Sequence, residues 1–346
     1  MRDVPEPARS GDDDVKVQVI RTGLCGTDAD IYRGDYGEAP PGEDFLILGH
    51  ENFGVIRETG GNATGLAPGD FVVSTVRRPC GKCSYCKQGE MDLCSSGEYT
   101  ERGIKGRHGF MAEYYVESSR YLIKIPKEIK DIGVLLEPAS IVEKGIDHVY
   151  LIQRRMPWQP HRALVLGAGP VGILAAALLR LRGLETFLVG REPANDLRAQ
   201  VGKNLGAEYI SVDGVPLSDL PKQIGSPDII MEATGSSAVV FSAMQILAPD
   251  GVLCLLSVTG GHSVRPEPTD VINQDLVLRN NVAFGSVNAN PRHFQKGVED
   301  FVAIEKASPG ALRQLLTTPL PWQNYAQWFT QRGHGIKATL EISKPD

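Results

Sequence analysis

The stretch from Ala163 to Gly190, ALVLGAGPVGILAAALLRLRGLETFLVG, constrains the fold more than any other. An apolar run over 163–166 meets Gly167, Gly169 and Gly172 in the spacing G-x-G-x-x-G. An apolar, helix-favouring segment follows over 173–181, then a β-rich run over 186–189 that ends in Gly190. Strand, tight turn, helix and strand form the opening unit of a dinucleotide-binding sheet. Gly167 lets the chain turn sharply, Gly169 removes a side chain where a pyrophosphate must approach, and Gly172 lets the helix pack closely on the sheet. The helix that starts around Pro170 and Val171 offers free N–H groups and a positive dipole to phosphates. The motif carries weight here because it follows a strand and opens a helix.

The end of the second strand bears on which dinucleotide. An acid there would bond the ribose 2′-hydroxyl. The sequence reads Gly190-Arg191-Glu192 instead. A small residue followed by arginine gives room and charge for a 2′-phosphate, so NADP is expected to be preferred. Glu192 can still serve a 2′-hydroxyl, which keeps NAD possible. Further strands are expected near 209–212, 228–231, 252–257 and 282–287. Thr234, Ser257, Val258, Ser286 and Asn288 follow or end such strands and are expected to face the coenzyme. Strands alternating with helices from Ala163 onward give an α/β, doubly wound parallel sheet.

The chain has 346 residues, enough for two domains. A net charge of −6 without a basic stripe argues against a nucleic-acid partner. The opening MRDVPEPARSGDDD has no apolar core of a signal peptide. The apolar run 163–179 is broken by glycine and proline in phosphate-loop spacing, so no membrane partner is expected. Six cysteines without an export signal point to metal or core, not disulfides, and to the cytoplasm.

The first half reads as short strands between Gly/Pro turns, a β-rich, barrel-like pattern, with clean alternation over 15–20. Within it, Cys80, Cys83, Cys86 and Cys94 have the spacing C-x2-C-x2-C-x7-C in a polar lobe spanning about 78–96. Four thiolates on so tight a loop can close a tetrahedral zinc site with no open position, which makes it structural. An iron–sulfur cluster or free thiols are the alternatives. Metal would replace the core that the lobe cannot build. Domains are expected at 1–147, 148–287 and 288–346, the last rejoining the first.

Gly23-Leu24-Cys25-Gly26-Thr27-Asp28, Gly49-His50-Glu51, the four-cysteine lobe, Glu137-Pro138 and the glycine motif occur together and in order. This combination resembles the zinc-dependent medium-chain alcohol dehydrogenase superfamily. Thr75–Pro79, Tyr99–Ile104, Glu137–Lys144 and Gly285–Asn288 resemble, within it, the archaeal-type glucose 1-dehydrogenase family. The resemblance implies a GroES-like catalytic domain, a Rossmann coenzyme domain and a cleft between them. It implies two zinc ions per chain, the catalytic one held by Cys25, His50 and an acid that is either Glu51 or Glu137. One thiolate, one imidazole and one carboxylate leave a position open for substrate. The activity implied is oxidation of an aldose at C1, with Thr27 relaying the hydroxyl proton and Glu101, Glu137, Asn288 and Thr27 meeting the sugar. A polyol or secondary-alcohol dehydrogenase is the alternative enzyme, and a non-catalytic NADPH-binding relic the alternative class. A homo-oligomer, dimer or tetramer, is also implied. The family's usual first strand, before the position of Pro5, is missing by about a dozen residues, which leaves either a misassigned start or a domain that lacks an edge as the expectation.

Overall fold

The alternation over 15–20 becomes the strand Asp14–Gly23, which points Val15, Val17 and Val19 into a core with Ile56, Val72 and Phe110. The computed structural model describes all residues except 214, 261, 263, 331–334 and 345–346. No strand precedes Asp14 among the described residues. The chain divides into two units, residues 1–140, 288–302 and 316–346 in one and 141–287 with 303–315 in the other.

The first unit is built on a seven-stranded sheet. Its spine is Asp14–Gly23, which pairs antiparallel with Glu51–Thr59, Tyr114–Ser118 and Lys337–Glu341. Glu51 therefore lies directly opposite Gly23, and Thr339 opposite the same residue on the other edge. This register brings the two ends of the chain to one place. A small three-stranded sheet, which includes Arg77–Arg78, Thr100–Arg102 and Gly106–Arg107, flanks the cysteine lobe.

The second unit has six parallel strands, Arg162–Leu166, Glu185–Gly190, Glu208–Ser211, Ile229–Glu232, Val252–Leu255 and Val282–Gly285. Counted along the chain, their spatial order is 3-2-1-4-5-6. That is the doubly wound order of dinucleotide-binding sheets. Leu164, Leu166, Ile230 and Leu253 fill its core, and Cys254 is fully buried.

The division between units falls after Ser140, short of the expected boundary at 147, and residues 303–315 group with the second unit and not the first. Both changes occur inside or beside continuous helices, Leu136–Gln153 and Pro291–Ala307, so no turn residues mark them in the sequence. No helix among the described residues is long and apolar enough to cross a membrane.

Candidate metal centres and coenzyme loop

Donor atoms of Cys25, His50 and Glu51 lie within 4.8 Å of one another. Each is set by local structure. Cys25 caps the helix Gly26–Arg33 in an extended conformation, and Asp28 closes the cap by accepting a 2.8 Å hydrogen bond from the Cys25 N–H. Asp28 also accepts a 3.2 Å bond from the Gly49 N–H, and its other role is to face His50 Nδ1 at 3.4 Å. His50 Nδ1 is buried and has no hydrogen-bond partner among the described residues, so the Asp28 carboxylate beside it acts through charge. Burial opposes charge on His50, but Asp28 and Cys25 outweigh it and raise the histidine pKa well above its usual value. Gly49 itself sits at φ +92, a left-handed conformation that suits glycine.

Glu51 is buried, 1% exposed. Its Oε1 pairs with the Lys337 ammonium, also buried, while Oε2 has no hydrogen-bond partner among the described residues. A side chain at position 23 would collide with that oxygen, its Cβ coming within 1.9 Å. Glycine there makes room for the carboxylate. An orphaned buried carboxylate oxygen beside a thiol and an imidazole is costly unless a cation completes it, so this donor set fits zinc with one position left open. Glu137, in the first turn of its helix, is outside the three-donor cluster but close enough to feel it. Burial raises its carboxyl to about 7; His50 acts against that rise and Glu51 adds to it. Thr27 Oγ1 lies 4.0 Å from Cys25 Sγ.

In the lobe, Cys80, Cys83, Cys86 and Cys94 converge within 4.8 Å, and all are free thiols. Sulfur separations of 3.3 and 3.8 Å are close to the ~3.8 Å edge of a tetrahedral zinc–sulfur site. The Ser96 hydroxyl and the amides of Lys82 and Cys83 bring Cys80 down to about 7. Amides of Cys86 and Ser95 bring Cys83 down to about 6. Burial and the Cys83 sulfur push Cys86 up to about 12. This set also fits zinc.

In the second unit the glycine motif folds as its spacing requires. Gly167 sits at φ +108, and a Cβ there would meet the Ala233 carbonyl oxygen at 2.8 Å. A Cβ on Gly172 would meet the Gly167 carbonyl oxygen at 1.8 Å. Gly169 faces open space and caps the helix Pro170–Leu181 with no side chain, leaving the first amides free. Thr234 and Ser257 are brought together by Glu232, which ends its strand fully buried. Its Oε1 accepts from the Thr234 amide at 2.6 Å and from the Thr234 hydroxyl, and its Oε2 accepts from the Ser257 hydroxyl at 2.5 Å. Val258 is exposed, and the Ser286 hydroxyl is buried without a partner among the described residues.

Comparison with known proteins decides the family. The Glucose dehydrogenase C-terminus family matches residues 130–342, and the Alcohol dehydrogenase GroES-like domain matches 11–127. A glucose 1-dehydrogenase of Methanocella arvoryzae is 42% identical over 98% of this chain and 95% of its own length. The chain belongs to the glucose 1-dehydrogenase family of zinc-dependent medium-chain dehydrogenases. Another member, from Thermoproteus tenax, is 38% identical over 99% of this chain and 95% of its own. Among solved structures, Haloferax mediterranei glucose dehydrogenase in complex with NADP, zinc and gluconolactone superposes with a TM-score of 0.89 at 33% identity, covering 99% of this chain and 96% of that one.

Three of the residues expected at the coenzyme or the sugar, Gly190, Glu192 and Asn288, have contacts of their own within the protein. Gly190 does not leave space: a Cβ there would meet the Tyr209 hydroxyl at 2.4 Å, so the glycine serves packing. Glu192 is tied to Arg198 by a 2.8 Å ion pair, while Arg191 is exposed. Asn288, expected at the coenzyme and the sugar, is bonded to Glu101 at 2.7 Å, with its carbonyl taken by the Ala289 amide. Sequence reading missed Lys337, Asp28 and Glu232. Lys337 stands 286 positions from Glu51 with no motif around it. Asp28 was legible, as a cap three residues after Cys25.

Proposed function

We propose that this chain oxidises D-glucose at C1 to D-glucono-1,5-lactone by hydride transfer, with zinc and with NADP in preference to NAD. The observation that carries the proposal is the buried Cys25–His50–Glu51 set with one carboxylate oxygen unpartnered, in a chain of the glucose 1-dehydrogenase family. When bound, zinc held by Cys25, His50 and Glu51 supplies a Lewis acid, and the nicotinamide supplies the hydride acceptor.

The chain's own residues do the rest. Asp28 fixes the orientation of the His50 ring and of the cap that carries Cys25. Lys337 holds Glu51 by one oxygen and directs the other to the donor set. Thr27 Oγ1, 4.0 Å from Cys25 Sγ, accepts the C1 hydroxyl proton as it releases its own hydroxyl proton to solvent water. Glu137 and Glu101 accept hydrogen bonds from sugar hydroxyls, each oxygen able to take more than one. Gly167, Gly169 and Gly172 seat the pyrophosphate at the N-terminus of the helix Pro170–Leu181, where Pro170 has no N–H and the first free amides are those of Val171 and Gly172. Thr234 and Ser257 are fixed by Glu232 for the same cofactor. Arg191 is free to meet a 2′-phosphate, and the commitment of Glu192 to Arg198 supports NADP over NAD. Cys80, Cys83, Cys86 and Cys94 hold the second, structural zinc. The reading carries with it a homo-oligomeric, cytoplasmic enzyme.

The test is an initial-rate panel of glucose, galactose, xylose and sorbitol with NADP and NAD. Glucose with NADP is expected to give the highest kcat/KM. Turnover of sorbitol with no aldose activity would replace this reading by a polyol dehydrogenase. Binding of NADPH without turnover of any sugar or polyol would make the chain a relic.

A further inference from the structure

We propose that Arg77 is a positioning residue for sugar recognition, linking the four-cysteine lobe to the Glu101 carboxylate. The proposal rests on the reading of Glu101 as a sugar contact.

Arg77 stands directly opposite Glu101 in paired strands. Its Nε and Nη2 donate to a single carboxylate oxygen, Oε1, at 3.1 and 2.9 Å. The Asn288 amide donates to that same oxygen at 2.7 Å. Three donors on Oε1 fix the carboxylate plane and neutralise one side of it. Oε2 has no hydrogen-bond partner among the described residues. An oriented carboxylate with one free oxygen is what paired sugar hydroxyls require.

The other end of Arg77 reaches the lobe. Nη1 donates at 2.5 Å to the carbonyl of Asp92, two residues before Cys94. The Asn290 side chain bonds the same segment, to Asp92 Oδ1 at 3.1 Å and to the Gly89 carbonyl at 2.8 Å. The guanidinium rests 3.9 Å above the Tyr99 ring. Thus one planar fork, stacked and buried, spans the lobe and the carboxylate. The turn after Glu101 is seated against the metal-ligand segment: a Cβ on Gly103 would come within 2.4 Å of the Gly49 carbonyl oxygen. The position of Glu101 relative to His50 is therefore set by backbone packing on one side and by Arg77 on the other. Lysine, a point charge with no fork, cannot make both ends at once.

The experiment compares Arg77→Lys, Glu101→Gln and the double variant by steady-state kinetics with glucose, with NADP affinity, zinc content and Tm measured alongside. Arg77→Lys is expected to raise the glucose KM by about tenfold or more, with kcat within about threefold and NADP affinity unchanged. Glu101→Gln is expected to raise it at least as much, and the double variant no further than Glu101→Gln alone. Should Arg77→Lys fail to fold, Tyr99→Leu removes the surface under the guanidinium and is expected to raise the glucose KM in the same direction, by less. An unchanged KM in Glu101→Gln would overturn the sugar reading of Glu101. A raised KM in Glu101→Gln together with an unchanged one in Arg77→Lys, or multiplying effects in the double variant, would overturn the role of Arg77.

Discussion

The first unit carries two donor sets that reach their geometry by opposite routes. The lobe takes four like ligands from one short stretch, Cys80 to Cys94, where three of the four thiols are only half-buried and almost no apolar side chain is enclosed. The centre at Cys25 takes three unlike ligands from two stretches, and other residues support each of them: a helix cap at Cys25, Asp28 beside His50, Lys337 on Glu51. On the proposed function, metal makes structure in the lobe, and structure makes an open metal site at the centre.

The sharpest way to break this contrast is to remove one ligand from each. His50→Ala is expected to lower kcat/KM by about a thousandfold or more, because the polarising ion is lost, while Tm moves little. Cys94→Ser is expected to do the reverse: a marked fall in Tm, with modest loss of activity in the molecules that remain folded. Each variant should retain one zinc by elemental analysis. Equal losses of activity and stability in both would mean that the two sites do not divide the work.

A smaller effect is expected from the residue that aims Glu51. Lys337→Met leaves the buried carboxylate without its partner and free to turn. Removing such an outer partner typically costs about tenfold to a hundredfold in metal affinity or activity. Catalytic-site zinc should leave more readily to a chelator, kcat should fall, and NADP affinity should stay as it was. Lys337→Arg should recover part of the loss. A silent Lys337→Met would show that Glu51 is held well enough by the space at Gly23.

The sequence speaks plainly of whatever is local. The glycine loop, the cysteine spacing and Gly49-His50-Glu51 each fold as their spacing requires, because turn geometry and ligand convergence are decided within a few residues. Residues supplied by distant chain are silent. Lys337 reaches Glu51 only because its strand pairs with Asp14–Gly23, and nothing around it hints at a metal neighbour. Gly190 was misread for a different reason: a glycine at a strand end fits both a ligand's approach and the packing of a neighbour, here Tyr209. Either acid, Glu51 or Glu137, suits the chemistry, and both are buried at the centre. Glu51 shares the 4.8 Å cluster and Glu137 does not.

What carries the lobe is the last point on which the contrast can be sharpened. Its entry strand, Arg77–Arg78, is anchored at Arg78 by Glu117, which accepts at 2.9 Å and 2.6 Å from Arg78 and at 2.9 Å from Arg102. Unlike Glu101, Glu117 is saturated, with Arg107 a further 3.6 Å contact. Burial works against its charge, but Arg78 and Arg102 prevail and bring the carboxyl from the ordinary 4.5 down to about 2. A depressed carboxylate pKa stabilises the fold fully above 4.5, and that stabilisation is lost as the pH falls toward 2. Glu117→Gln leaves buried arginines uncompensated, at about 3–5 kcal/mol, with little effect on the glucose KM. The Tm gap between the natural chain and this variant should be widest near neutral pH and should close on acidification, as the natural chain's own Glu117 takes up a proton. Zinc content should remain at two if the lobe holds itself together through its metal. A gap independent of pH would mean that the glutamine fails through its shape, and loss of one zinc would mean that the lobe depends on its stem as much as on its sulfurs.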